Sequence, residues 1–283
     1  MLEKLRVAQA LEHGRQELLN RSTTPNLDAQ LLLMKAMDQT RAWVLAYPEA
    51  ELSTTQTRQF QEDLAELAAG AALPYILGWW EFYGRRFKLN RRVLIPRPET
   101  ELLVEQALSW LQHVDGSSAL DLGTGSGCLA VTLAAERPGV RVSASDIERE
   151  ALLLARRNAS WYGVEERMSF VQADLLSPFR GRFDVICANL PYIPTAALAD
   201  LEVARREPAR ALDGGQDGLS LIRQTLEDLP RALAPRGLAL FEVQPDQAAA
   251  VGEAARRVLP GAQVQVRRDL AGLERLVTLS RIE

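Results

Sequence analysis

The chain has 283 residues, of which 47% are apolar and 25% charged, with a formal net charge of -4. That length suits one large and one small domain, and the composition is that of an ordinary soluble globular protein. The acidic balance excludes a global attraction to phosphate, though not a local basic patch. No apolar stretch is long enough to span a bilayer. The opening Met1-Leu2-Glu3-Lys4-Leu5-Arg6 is a charged amphipathic start rather than a signal peptide, so a cytoplasmic address is expected.

Cys128 and Cys187 are the two cysteines, each inside an apolar, core-like segment. With no Cys-x-x-Cys and no Cys/His cluster, no structural metal is expected. His13 and His113 stand alone and read as solvated surface residues.

Residues 1 to 73 read as a small helical bundle, because apolar residues recur every three or four positions. Leu5, Ala8, Leu11 and Leu18-Leu19 mark a first helix, which Arg21 to Pro25 ends. Asn26 is placed to cap a second helix through Leu27, Leu31, Met34 and Met37. Trp43 to Tyr47 forms a third short segment, and Ser53 opens a fourth helix with Phe60, Leu64 and Leu67 on one face. This stretch carries seven Lys/Arg against ten Asp/Glu, so it is no basic nucleic-acid module. Recognition of a protein is the expected role.

Residues 74 to 95 are aromatic and glycine-punctuated and are expected to form a β-hairpin linker. Its Trp79, Trp80, Phe82 and Tyr83 could present a peptide-binding surface, but interdomain packing is the favoured reading. From residue 96 to 283 helices and strands alternate, which predicts an α/β domain built on a largely parallel sheet. Helices are predicted over 101–111, 127–136, 149–162, 219–233 and 246–258. Strands are predicted over 118–122, 141–145, 168–172, 183–188 and 237–243. The segments 263–266 and 275–279 should close the sheet as an antiparallel edge pair.

Gly123-Thr124-Gly125-Ser126-Gly127 follows the first of these strands and opens a helix. Glycines there permit a tight turn and close approach of a ligand to backbone N–H groups at a helix start. A full dinucleotide fingerprint would need glycine where Cys128 stands, so that match fails. Asp146 follows the next strand, about 20 residues later, where a carboxylate can accept both hydroxyls of a ribose. Asp174, beside Leu175, ends the third strand and could receive an adenine amino group.

Asn189-Leu190-Pro191-Tyr192 follows the fourth strand, outside the carboxyl end of the sheet where α/β proteins place their ligands. The Asn189 side-chain oxygen can accept an N–H. Pro191 biases Leu190 toward an extended conformation, which can free the Leu190 carbonyl as a second acceptor. Tyr192 adds a flat face. Two acceptors and an aromatic plate suit a planar NH2 group. A plain strand-to-loop exit rich in turn formers is the alternative.

Taken together, the glycine loop, the two acids and the Asn189 loop resemble the arrangement of class I (Rossmann-like) methyltransferases that use S-adenosylmethionine. The resemblance extends further. Val93-Leu94-Ile95-Pro96-Arg97-Pro98-Glu99-Thr100-Glu101 is similar to the segment entering the catalytic domain of the PrmC/HemK family of protein-glutamine methyltransferases. Asn189 to Tyr192 resembles that family's Asn-Pro-Pro-Tyr motif. Glu207-Pro208, Ala211 to Leu219, and Asp269-Leu270-Ala271-Gly272 with Arg275 resemble its later segments. The helical N-terminal region and Glu81-Phe82-Tyr83-Gly84 fit its domain order.

The resemblance implies methyl transfer to the side-chain amide nitrogen (N5) of the glutamine in the Gly-Gly-Gln motif of peptide chain release factors. It implies cofactor contacts from Gly123 to Gly127, Asp146, Asp174, Leu175 and Asn189. It also implies catalytic and substrate contacts from Asn189, Leu190, Pro191 and Tyr192. Arg97 and Glu99 precede the first catalytic helix. Two readings stay open for them: contact with substrate, or an interdomain salt bridge or helix cap. Residues 207–218 read either as a loop over the substrate or as ordinary turn chemistry. A monomer without stable nucleic-acid or membrane partners is expected.

Two departures stand out. Leu190 replaces the motif's first proline, and Gln244 stands where the family usually has glycine, which brings the local turn into question. No Cys, His or carboxylate pair in the Asn189 loop offers an evident general base. Direct displacement on a sulfonium methyl, governed by positioning, is therefore the expected mechanism. The main rival is an N6-adenine methyltransferase acting on RNA or DNA, whose substrate also offers a planar NH2. A second is a non-catalytic adaptor that binds the cofactor only to brace its helical domain.

Overall fold

The computed structural model describes residues 5–112 and 116–281; His113 lies outside them. Two compact bodies divide the chain, residues 1–79 and 80–283.

The first body holds helices α1 (Val7–Leu18), α2 (Pro25–Met37), α3 (Arg41–Ala46), α4 (Thr54–Ala68) and α5 (Leu73–Leu77). Its core is the periodic apolar face: Leu18, Leu32, Leu33, Val44, Phe60 and Leu64 are buried. Ser53 accepts the Gln56 N–H while the Gln56 side chain accepts the Ser53 N–H at 2.8 Å, which closes both ends of a capping box on α4. The cap of α2 differs from expectation. Thr24 occupies it and Pro25 is the first helical residue, so Asn26 lies inside the helix. Proline suits that position because its missing N–H would have had no helical partner. His13 is exposed.

The predicted hairpin starts later than residue 74. Residues 73–77 are the short helix α5, which Gly78 ends with φ 76°. Strands β1 (Trp79–Phe82) and β2 (Arg85–Lys88) then pair across Tyr83 and Gly84. Both turn residues have positive φ, the geometry that matches the twist of a two-residue hairpin. Phe82 and Phe87 are buried, edge-on at 6.2 Å, in the apolar cluster formed by the helices beginning at Glu101 and Cys128.

The second body alternates as the pattern requires: α6 (Glu101–Leu111), β3 (Ser118–Leu122), α7 (Cys128–Glu136), β4 (Arg141–Asp146), α8 (Arg149–Trp161), β5 (Met168–Gln172) and β6 (Phe183–Ala188). After these come a short helix α9 (Glu202–Arg206), then α10 (Ser220–Ala232), β7 (Leu233–Glu242), α11 (Ala248–Val258), β8 (Gln263–Arg268) and β9 (Glu274–Ser280). Strand β7 begins earlier than predicted, at Leu233, where Phe183 already pairs with it. The seven strands run β5-β4-β3-β6-β7-β9-β8, with β9 antiparallel to both neighbours and the remaining pairings parallel.

Apolar residues of α6 and α7 fill one face of the sheet and those of α10 and α11 the other. Leu120 and Ile186 face the second cluster while Ala119 and Cys187 face the first, as a period of two demands. Chain order reverses between β3 and β6, and such a switch point opens a crevice at the carboxyl ends of the strands. Leu122 and Ala188 pair there, so Gly123 and Asn189 leave the sheet side by side.

Candidate active site

The glycine loop turns through positive φ at Gly123, Gly125 and Gly127 (69°, 54° and 80°). At Gly127 the requirement is also spatial. A Cβ would sit 2.8 Å from the Ala155 Cβ, so this glycine lets α7 start flush against α8. Three side chains brace the loop. Asp121 Oδ2 accepts the Thr124 hydroxyl at 2.6 Å and the Ala130 N–H at 3.2 Å. Asp146 accepts the N–H of Gly125 and of Glu148, each at 2.9 Å. The Asn158 amide donates to the Ser126 carbonyl at 2.8 Å. Burial raises the Asp121 carboxyl to about 7 and also raises that of Asp146.

A cavity of about 550 Å³ opens over this loop, and its wall includes Gly123 to Ser126, Asp146, Asp174, Leu175, Asn189 and Arg97. Gly127 stands behind the wall, against Ala155. Asp174 is exposed, and Leu175 is held in the left-handed region at φ 47°. A second cavity of about 200 Å³ is lined by Tyr192, Gln244, Arg275 and Val203 and again by Asn189, Leu190, Pro191 and Arg97. Asn189, Leu190 and Pro191 thus border both spaces, while Tyr192 borders the smaller one.

Long-range side-chain contacts hold the Asn189 loop in place. Asn189 Nδ2 donates to Thr100 Oγ1 at 2.9 Å, and the Thr100 hydroxyl donates to Glu242 Oε2 at 2.7 Å. The Tyr192 hydroxyl approaches Glu242 Oε1 at 3.4 Å, and the Tyr192 carbonyl accepts from Gln247 Nε2 at 2.8 Å. Glu242 is 2% exposed, and burial pushes its carboxyl up to about 7. Burial likewise raises the Tyr192 phenol above its ordinary range.

Residues 214–218 lie directly on this loop. A side chain at Gly218 would collide with the Tyr192 carbonyl, and one at Gly214 would come within 2.7 Å of the Pro191 carbonyl. The predicted turn chemistry is present, since Asp213 Oδ1 accepts the Thr195 hydroxyl at 2.6 Å and the Gly215 N–H at 2.9 Å.

Leu190 is 3% exposed, packed in the core that includes Leu120, Leu122 and Leu219. Proline is therefore replaced by an anchored side chain rather than by a loose one. Neither the Leu190 carbonyl nor Asn189 Oδ1 accepts a hydrogen bond from the described residues. Gln244 causes no difficulty: its φ is -72°, and it caps the turn before α11 through Gln247.

The Arg97 guanidinium forms an ion pair with Glu207, whose other oxygen accepts the Ile95 N–H at 3.0 Å. Both partners belong to the second body, so of the readings left open for Arg97 the interdomain bridge does not apply. Asp121, Thr100 and Glu242 were missed by sequence reasoning. The signal for Asp121 was available, as an acid inside the apolar strand that leads into the glycine loop. Thr100 and Glu242 are 142 positions apart and become neighbours through the sheet order alone.

The residues present fit S-adenosylmethionine. Left-handed glycines bring backbone N–H groups to the start of α7, Asp146 and Asp174 offer carboxylates, and the volume suits a ligand of that size. Among the described residues no group of three or more His, Cys, Asp or Glu converges as metal ligands would. None of the described helices is long and apolar enough to cross a membrane.

Fold and site together define a class I S-adenosylmethionine-dependent methyltransferase. The methyltransferase small domain pattern matches residues 99–210, and the PrmC N-terminal domain pattern matches residues 9–78. Two solved structures share the fold: a methyltransferase from Pyrococcus furiosus (TM-score 0.52, 16% identity, 78% of this chain and 98% of that one) and the hMettl16 catalytic domain in complex with an RNA hairpin (TM-score 0.56, 15% identity, 78% and 82%). The release factor glutamine methyltransferase of Moorella thermoacetica is 41% identical over 92% of both chains. That of Deinococcus radiodurans is 38% identical over 91% of this chain and 92% of its own. The chain belongs to the release factor glutamine methyltransferase family.

Proposed function

We propose that this enzyme methylates the side-chain amide nitrogen of the glutamine in the Gly-Gly-Gln motif of peptide chain release factors. It acts as a monomer in the cytoplasm, with its helical residues 1–73 recognising the release factor. Residues 74–95 serve as the linker to a catalytic domain over 96–283. The observation that carries this reading is the wall shared by the two cavities. Asn189, Leu190 and Pro191 face the larger space beside Asp146 and the smaller one beside Tyr192 and Arg275.

S-adenosylmethionine, when bound, supplies a methyl group on a positively charged sulfur that needs no further activation. Gly123 to Gly127 would hold its charged tail through backbone N–H groups. Asp146 would take the ribose hydroxyls, while Asp174 and Leu175 would border the adenine. Asn189 Oδ1 and the Leu190 carbonyl accept the two N–H groups of the glutamine amide, so the nitrogen presents its face to the larger cavity. Pro191 stiffens that carbonyl by fixing its own φ. Tyr192 covers the amide plane and excludes water, and Arg97, held by Glu207, borders the path of the peptide. An amide nitrogen is a weak nucleophile, and fixed geometry can contribute roughly 7–11 kcal/mol toward its attack. With the neutral thioether S-adenosylhomocysteine left as the other product, the surplus proton passes to water on product release, so no side chain has to act as a base.

A labelled-methyl assay with release factor and ribosomal RNA side by side tests the reading. Mass spectrometry should find one added methyl on the glutamine of the Gly-Gly-Gln peptide. Label in adenine of the RNA, with none in the peptide, would reverse the assignment.

A further inference from the structure

A carboxamide has nearly the same shape with its oxygen and nitrogen exchanged, so only its partners decide which end faces a ligand. At Asn189 that decision is made two residues away. Thr100 has one hydroxyl proton, and once Glu242 is ionised its carboxylate can only accept, so that proton goes to Oε2 at 2.7 Å. Toward Asn189 at 2.9 Å, Thr100 Oγ1 can then only accept. The Asn189 NH2 must therefore face inward, which leaves Oδ1 as the end available to an incoming N–H donor. With the amide reversed, NH2 would confront NH2.

We propose that Thr100 and Glu242 are positioning residues that set the polarity of the Asn189 amide and thereby select an NH2-bearing acceptor. Glu242 borders neither cavity and acts through Thr100, which lines the larger one. The same carboxylate faces the Tyr192 hydroxyl, so one buried acid orients both ends of the Asn189–Tyr192 loop. The inference rests on the glutamine-amide reading above.

Two substitutions at one position separate polarity from packing. Thr100→Val keeps the volume and removes the hydroxyl, whereas Thr100→Ser keeps the hydroxyl and removes the methyl. With a Gly-Gly-Gln peptide as acceptor, T100V should lose about 10- to 100-fold in kcat/KM, and T100S should stay within about threefold of the parent. Affinity for S-adenosylmethionine, measured by calorimetry, should fall less than about threefold in both, since Thr100 is one residue of the cavity wall, and reports an intact fold. Glu242→Leu should behave like T100V, because it removes the acceptor that fixes the Thr100 proton. If T100V equals or exceeds T100S while the parent methylates the peptide, Thr100 is a packing residue and the polarity proposal is overturned. If the parent itself leaves the glutamine unmodified, the acceptor reading falls and the relay falls with it.

Discussion

The proposed cofactor half and the proposed acceptor half of the site are built in different ways. The glycine loop, Asp121, Asp146, Asp174 and Leu175 all lie between residues 121 and 175, on successive strand ends of one parallel run. Backbone N–H groups and local carboxylates organise that half. The acceptor half draws Arg97 and Thr100, Asn189 to Tyr192, Glu207, residues 214–218, Glu242 and Gln247 from distant parts of the chain. A ligand common to many enzymes can be held by main chain, which any sequence with the right turn provides. A particular acceptor needs side chains whose orientation other side chains decide.

Breaking the acceptor half should leave the cofactor half standing. Asn189→Ala is expected to lower kcat/KM for the release factor by about 10²–10³-fold, as removal of one oriented polar group at a reacting centre does elsewhere. Affinity for S-adenosylmethionine should move less than about twofold, being set mainly by contacts this variant keeps. Comparable losses in both would mean that the two halves cannot be separated. The converse variant, Asp146→Ala, should weaken cofactor binding by about 10- to 100-fold in calorimetry. Acceptor KM at saturating cofactor should be preserved, and a rise in it would blur the distinction.

Each half also carries a buried acid whose pKa burial raises, and stability should depend on pH through both. Burial raises Asp121 from 3.8 and Glu242 from 4.5 to about 7. Between those values the folded protein keeps protons that the unfolded chain has released, so stability falls as pH rises toward 7. Thr100, Tyr192, Glu99 and Arg275 face Glu242, while Asp146 faces Asp121, and all remain in place across the comparison. Denaturant melts at pH 5 and pH 8 should show the loss, and Asp121→Asn should narrow the gap. An unaltered gap would remove Asp121 as a source. The smallest effect is expected at Leu190→Pro. Turnover should stay within about threefold, because the acceptor there is a main-chain carbonyl, while stability drops by about 1–2 kcal/mol through lost core packing. A large loss of turnover with unchanged stability would instead assign the Leu190 side chain to the chemistry.

The same division decides how much could be read from residues alone. Periodicity placed α6, β3, β5 and β6 at their observed limits, because each is a single element bounded by its own turn signals. It placed the glycine loop and Asp146 on neighbouring strand ends for the same reason. It mistook residues 74–78 for hairpin, where proline in the first turn and a left-handed Gly78 bound one turn of helix. Asn26 was favoured as a cap on residue type, and Pro25 displaced it. The helical turns at 195–200, 202–206 and 209–211 carry no periodic signal of their own. Thr100 and Glu242 look like an ordinary helix-start threonine and a strand-end acid. Their pairing exists only once β7 lies beside β6.

Leu190 ties the halves together after all. A Cβ at Gly123 would sit 3.3 Å from its Cδ2, so the glycine loop rests against the side chain of the residue whose carbonyl is proposed to serve the acceptor. A single residue is therefore mechanically shared by two binding events.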